Sequence, residues 1–406
     1  MAFTTALSGV NAAQSDLDVI SNNIANSSTT GFKSGRAEFG DMYAQSLLGT
    51  TTPTPGQGVQ VSGISQQFSQ GDLEFTNNAL DVAINGDGFF QVSDNGVIEY
   101  TRSGSFQIDK DGYIVTVGNA RVQGFQVDAT SGAVTGNIGD IQTQSALLDP
   151  SATTKVKLTG NLDSRQAVPA AFDVTDAATY NATTSVAVFD SLGNSHTLDV
   201  YFRKTADNTY NVHAFVDGTA VGGTPAITAL PFSTAGAYNN AGGNLGLKSI
   251  TGVAIAGAVD MAIELDLTGF TQYGTNFAVT TSTQNGYSAG QLASLEVNEY
   301  GLISARYSNG VTKAMGQFAL ADFQNVNGLQ PVGNTNWIET YKSGMPTLNK
   351  AGNANLGLVQ GFALEQSNVA ITQELVDLIV AQRNFQANAQ VVQAEDAITQ
   401  TVINLR

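Results

Sequence analysis

Residues 21–35 read SNNIANSSTTGFKSG, and the fold turns on what lies to either side of them. Upstream, Phe3, Val10, Leu17 and Ile24 recur every seven residues, with Ala6, Ala13 and Ile20 three later. That spacing predicts a helix over 3–24 with an a/d seam of about three heptads, a rod of roughly 33 Å. A lone helix of this length is marginal in water, so it needs a partner. The stretch 21–35 does not supply one. Its Asn and Gly residues tolerate left-handed backbone and end helices, and its Ser and Thr side chains compete for backbone hydrogen bonds. The chain turns here.

A second seven-residue repeat stands at the far end. Ile371, Leu378, Phe385 and Val392 repeat the spacing, with Leu375, Gln382 and Ala389 between them, and the surrounding helix is predicted over about 364–404, without Gly or Pro. Between the two ends the pattern changes to short alternating runs punctuated by tight-turn dipeptides: Asn85-Gly86, Asp87-Gly88, Asn95-Gly96, Asp111-Gly112, Asn285-Gly286 and Asn309-Gly310. Stretches such as VAINGDGFFQV and TSVAVFDSLGNSHTLDVYFRK read as hairpins. GTTTPTPGQG, residues 49–58, reads as an extended linker, and 218–246 as loop within a β-domain. The expected fold class is mixed and mainly β: β-rich outer domains bracketed by terminal α-helices that pair in a coiled-coil-like inner layer. Both helices lying simply on the β-body is the alternative, and strict seven-residue spacing at both ends favours helix on helix.

Composition narrows the function classes. The chain has 406 residues, 42% of them hydrophobic and 13% charged, which is ample for two or three cored domains. A net charge of −17 argues against nucleic acid or an anionic membrane as partner, since phosphates attract a basic footprint. There is no cysteine, so disulfides, thiolate nucleophiles and Cys-ligated metals are excluded. The first residues lack the basic and apolar regions of a secretory signal, and no run approaches the ~18 apolar residues of a membrane span.

Catalytic chemistry is sought without success. The histidines, His196 and His213, lie in β-like segments, and Ser195 and His196 point to opposite faces of any strand. Asp109-Lys110-Asp111-Gly112 is similar to part of a calcium loop but lacks the further oxygen ligands and the bidentate Glu, so it reads as a β-turn. Asp260, Glu264 and Asp266 read as solvated strand faces. Neither an enzyme nor a cofactor nor a metal is expected.

The two ends carry a resemblance. ALSGVNAAQSDLDVISNNIANSSTTGFKSG closely resembles the N-terminal signature of the flagellar rod and hook axial proteins. LDVAINGDGFFQV with YTRSGSFQIDKDGYIVT resembles that family's next block, and LEQSNVAITQELVDLIVAQRNFQANAQVVQAEDAITQTVINLR its C-terminal helix. An extra β-region at about 147–285, with LADFQNVNGLQPVGNTNWIET and QGFALEQSN after it, resembles the hook branch more than the shorter rod branch.

The resemblance implies a homopolymer that links rod to filament as a curved, bendable tube transmitting torque. It implies a helical inner domain of residues 1–26 and 361–406, a connector over 27–75, a β-rich middle domain of 76–146 and 286–360, and an inserted outer domain at 147–285. Phe3, Val10, Leu17, Ile20, Ile24, Ile371, Leu375, Leu378, Phe385 and Val392 become the expected polymer interface. The implied partners are other copies of the chain, the distal rod protein, the hook cap protein, the hook–filament junction protein, the hook-length control protein and the flagellar type III export apparatus. Phe39, Met42 and Tyr43, in FGDMY, resemble a short export motif; packing within the connector is the other reading. From a different class, a secreted β-rich adhesin or carbohydrate-binding module with helical oligomerisation ends would require clustered exposed aromatics. The single Trp337 and scattered tyrosines do not suggest one.

Overall fold

The computed structural model describes residues 2–42, 56–128, 132–143, 147–239, 246–253 and 255–404. Two terminal helices, α1, Ala2–Ala25, and α2, Ile371–Asn404, bracket a chain whose other regular elements are almost all strands. The chain divides into two units. One comprises Met1–Gln144, Ser294–Ala305 and Thr312–Arg406; the other comprises Ser145–Ala293 and Arg306–Val311.

In the first unit α1 and α2 pack together. They run antiparallel, because Gly9 meets Asn388 while Asn23 meets Glu374. Gly9 gives the close approach: a Cβ there would lie 2.7 Å from Asn388 Oδ1, and that side chain would have to shift. The stretch 21–35 then ends α1, with Asn26 Nδ2 donating to Asn22 O at 3.0 Å and Gly31 at φ 71°. A side chain on Gly31 would strike the backbone of Ser103.

The chain then folds into an antiparallel hairpin arm, β1, Gly35–Asp41, and β2, Val59–Gln66, with a bulge between Glu38 and Phe39. Sequence alone shows nothing of it, because β1 is polar and buries only Ala37. The arm runs back along α1. Asn23 exchanges two hydrogen bonds with the Gly35 backbone, at 2.8 and 2.9 Å, and the Val59 amide donates to Ser8 Oγ at 3.2 Å. The expected linker at 49–58 falls mostly on residues outside those described.

The rest of this unit is a β-body with an aromatic core. Phe90, Phe106 and Phe318 pack with centroids 5.2–5.6 Å apart, and Phe89, Tyr100, Phe323 and Trp337 form a second cluster. Each such side chain contributes about 1.5–3 kcal/mol by leaving water. Asn95 and Gly96, at φ 49° and 90°, join the strands Phe89–Asp94 and Val97–Thr101 as a two-residue hairpin turn. At the calcium-loop lookalike, Asp109 Oδ1 accepts the amides of Asp111 and Tyr113 at 2.9 and 2.7 Å, so the carboxylate closes a turn.

The second unit is a sandwich of two sheets. One is ordered Leu247–Val253, Met261–Tyr273, Lys155–Asp163, Ala278–Gln284; the other is built on Ala182–Phe189, Ser195–Ala206 and Thr209–Val216. Alternation works as expected: Leu198, Val200 and Phe202 point inward to meet Leu158, Ile263 and Leu265 in one core. The region read as loop, 218–246, contains the strands Thr219–Val221 and Ile227–Pro231, both paired to Thr209–Val216. They form because Val221, Ile227 and Leu230 reach that core. The strand Lys155–Asp163 lies beside Met261–Tyr273 in parallel.

Both histidines are structural here, with opposite pH signs. His196 is held between Asp217, 2.6 Å from Nδ1, and Asp190, 3.3 Å from Nε2. The hydrogen bond to Asp217, and then that to Asp190, raises its pKa above the ordinary 6.5. His213 is buried, stacked 3.7 Å from Phe172 of the covering segment 165–181, and among the described residues neither ring nitrogen has a hydrogen-bond partner. Burial, with Arg203 nearby, pushes it down to about 4. The stabilisation from His196 is therefore complete below pH 6.5 and is lost as pH rises through its folded pKa. His213 acts in reverse: its contribution is full above pH 6.5 and declines as pH falls toward about 4. Imidazole NMR titration of the folded protein is expected to show one histidine titrating above 6.5 and the other still neutral at pH 5.

Candidate functional site

The paired helices and their joint to the β-body hold the candidate site. Among the repeat positions on α1 the three-later ones are the most buried: Ala6, Ala13 and Ile20 are 5–8% exposed. Val10, Leu17 and Ile24 are half-buried and Phe3 is 47% exposed. On α2 the face toward α1 carries Glu374, Leu378, Ala381, Phe385, Asn388 and Val392, all buried or half-buried. Ile371 and Leu375 are exposed. The intrachain seam thus takes Ala381, three residues after Leu378, where the sequence pattern points to Gln382, which is exposed; one heptad on, Asn388 and Ala389 are both half-buried.

α2 carries a second row on another face. Val376, Val380, Arg383, Ala387, Val391, Ala394 and Ile398 follow one another at spacings of three and four, and all are exposed. At ~100° per residue this row lies about 140° around the helix from the seam. Two apolar rows on one helix explain why no single amphipathic face stands out in its sequence.

Three carboxylates, Asp16, Glu374 and Asp377, meet where the start of α2 lies against the second half of α1. Asp16 and Glu374 have raised pKa values, in each case mainly from burial and then from neighbouring carboxylates, Asp377 among them; Asn23 pulls Glu374 the other way. Among the described residues no group of three His, Asp or Glu is arranged to hold a metal.

The joint below the helices is a buried ionic knot. Glu365 is fully buried; its Oε1 accepts from Lys33 Nζ at 2.5 Å and from the Gly71 amide at 3.0 Å, and its Oε2 accepts from Arg102 at 3.3 Å. Lys33 also donates to Ser69 O and Arg102 to Gly86 O, each at 2.8 Å, with Arg102 over the Phe89 ring. Burial pulls both cations below their ordinary pKa, and Glu365 opposes it. Asn368 completes the knot, accepting from the Ser34 amide and donating to Gln67 O. The exit of α1, the return of the arm and the start of α2 are therefore fixed to one another and to the β-body. This is also why α2 begins at Ile371 and not near 364: residues 363–365 form a strand with Leu73–Phe75, and Glu365 turns into the knot.

Sequence reasoning missed Asn23, Lys33, Arg102, Glu365 and Asn368. A signal was there. Lys33, Arg102 and Glu365 are each a lone charge inside a block of small and apolar residues, GFKSG, YTRSGSF and GFALEQSN. Of the export-like residues, Phe39 lies on β1, 43% exposed, and Met42 joins Gly58 and Gln57 by backbone hydrogen bonds; Tyr43 lies outside the described residues.

Comparison with known proteins covers the chain from end to end. Four family descriptions match in order: the flagella basal body rod protein at residues 3–33, the flagellar hook protein FlgE/F/G D1 domain at 83–158, the flagellar basal body protein FlaE D2 domain at 161–287, and the flagellar basal body rod FlgEFG protein C-terminal at 359–405. The chain is 40% identical over 415 residues to the flagellar hook protein FlgE of Salmonella typhimurium, covering 100% of both. It is 39% identical over 412 residues to that of Escherichia coli, again covering 100% of both, and 30% identical over 442 residues to that of Borreliella burgdorferi, covering 99% of this chain and 98% of the relative. Among solved structures, the Helicobacter pylori flagellar hook protein FlgE2 matches 72% of this chain and 100% of its own with a TM-score of 0.55 at 14% identity, a likeness of fold. Full-length similarity at this level, with every domain match in order, shows that the chain belongs to the flagellar hook protein family.

Proposed function

We propose that the chain is the structural subunit of the bacterial flagellar hook, polymerising into a curved, bendable tube that carries motor torque from rod to filament. The observation that carries this reading is the α1–α2 pair, joined rigidly to the β-body yet left with an exposed, mainly apolar row on its outside, interrupted only by Arg383. Such a row on a helix implies further copies. Residues 1–26 and 361–406 form the inner layer in this reading, 27–75 the connector, and 76–146 with 286–360 the middle domain. The outer domain is 147–285. Helices held in register resist twist, while outer β-domains with modest polar contacts slide as the tube bends.

The seam residues Phe3, Val10, Leu17, Ile20, Ile24, Ile371, Leu375, Leu378, Phe385 and Val392 serve assembly: Leu17, Ile20, Ile24, Leu378, Phe385 and Val392 within the subunit, and Phe3, Val10, Ile371 and Leu375 between subunits. The chain has no catalytic role. Its neighbours are the distal rod, hook cap and hook–filament junction proteins, and its length is set with the hook-length control protein. It leaves the cell by the flagellar type III apparatus without signal cleavage, Phe39–Tyr43 serving as a gate motif. Electron microscopy of motility-organelle preparations tests the reading: labelled chain in the curved segment below the filament supports it, and absence from that segment refutes it.

The second unit gives a further test. Its first and last strands are hydrogen-bonded neighbours, Leu147 opposite Gln291 and Leu148 opposite Gly290. Replacing 149–289 by a short Gly/Ser bridge is therefore expected to leave the first unit folded, with export and some tube formation retained and tube stiffness altered. Loss of the first unit's cooperative unfolding in the deleted protein would contradict this division.

A further inference from the structure

We propose that the outer row of α2 in one copy seats on the exposed face of α1 in the next, with Arg383 paired to Asp18 across the contact. This rests on the reading of the chain as a homopolymer and names the surface that joins its copies.

Charge singles out the pair. Arg383 is the one basic residue in α2, and α1 has none. Arg383 stands in the middle of the outer row and makes no hydrogen bond or ion pair among the described residues. Asp18 is exposed on the face of α1 away from α2, and among the described residues it accepts a hydrogen bond only from Gln14, at 2.9 Å. The carboxylates on the α2 side, Asp16, Glu374 and Asp377, face one another across the intrachain seam.

Register supports the pair independently. α1 and α2 are antiparallel within a copy, so copies stacked with a common direction bring α2 of one against α1 of the next antiparallel. Setting Arg383 opposite Asp18 then places Ile398 opposite Phe3, Ala394 opposite Leu7 and Val391 opposite Val10. It also sets Ala387 opposite Gln14, Val380 opposite Ser21 and Val376 opposite Ala25. Every member of the outer row falls on the three–four spacing of the opposing face, and no like charges meet. Phe3 and Leu7, 47% and 43% exposed in the single chain, gain apolar neighbours. Beside Asp18 lies a groove of about 380 Å³ between α1 and the arm, walled by Val19, Phe32 and Ile64. The contact is heterologous: it uses one face of each copy and leaves the complementary face open, so it propagates and does not close as a dimer.

The absence of cysteine makes the test clean. In assembled tubes of the Asp18→Cys/Arg383→Cys protein, oxidation is expected to give a ladder of covalent multimers, and neither single-cysteine protein gives one. Asp18→Arg or Arg383→Asp alone is expected to lower tube yield by roughly tenfold, and the two together to restore it, with unchanged helix content in the monomer because both sites are exposed. Tubes that form at wild-type yield from both single reversals, or that give no ladder from the double-cysteine protein, overturn the proposed contact while leaving the homopolymer reading in place. Failure of the unaltered chain to form tubes removes the homopolymer reading and this inference with it.

Discussion

Leu378→Asp is expected to abolish tube formation while leaving the second unit's thermal unfolding unchanged. Leu378 is half-buried on the α2 face toward α1, one heptad from Phe385 and four residues from Glu374. An aspartate there loses apolar burial and desolvates a charge, together several kcal/mol. It also adds a fourth carboxylate to Asp16, Glu374 and Asp377, where burial and mutual repulsion already raise the pKa values of the first two. Carboxylates with raised folded values weaken pairing above those values, and protonation as pH falls through them relieves it. The defect is therefore expected to ease in mild acid, and Leu378→Asn is expected to be milder at neutral pH. Each subunit of a polymer repeats the cost, so assembly fails well before the monomer does. The second unit has its own core and does not feel the change. Circular dichroism of the monomer and electron microscopy of the assembly read the two effects separately; tubes of normal yield from Leu378→Asp protein would show that helix pairing is not required.

Folding is expected to suffer most from Glu365→Ala. The change removes the one anion that Lys33 and Arg102 share and leaves two cations buried at 0% and 3% side-chain exposure. Breaking a buried ionic group this way costs about 3–5 kcal/mol, which lowers Tm of a unit this size by on the order of 10 °C. Lys33→Met is expected to cost less, because Arg102 still neutralises Glu365 and the methionine stem fills the same space. Scanning calorimetry of the three proteins checks the order: wild type, then Lys33→Met, then Glu365→Ala. Equal transitions for Glu365→Ala and wild type would mean the knot carries no net stability.

The contrast between these two sites shows what the sequence discloses. Leu378 is visible because a helix writes its seam at fixed local spacing, so Phe3, Val10 and Leu17, or Leu378, Phe385 and Val392, announce a packing face without any coordinates. Asn95-Gly96 is visible for a similar reason: left-handed φ at two successive positions selects those residues. The pairing of Glu365 is not legible: the lone charge stands out in its block, but its partner Lys33 lies 332 residues away in sequence and only the folded chain brings them together. The arm escapes because backbone pairing holds β1, and GRAEFGD has no apolar alternation to report it. Within the chain the α2 seam takes Glu374 and Asn388, polar residues that break the hydrophobic count, while Leu375 and Ile371 stay exposed in the single subunit. The outer row centred on Arg383 hides behind the same interference, two periodic faces superimposed on one stretch of sequence.

Electron cryomicroscopy of tubes grown from the intact chain, at a resolution that traces side chains, decides whether the paired helices build the polymer. The expected map has an inner wall of helix pairs, residues 2–25 against 371–404 of the same copy, with the outer row of α2 on α1 of a neighbour and both β-units outside. A map whose inner wall is built from the β-units, or in which 376–398 faces solvent along its outer row, is incompatible with assembly through the helices.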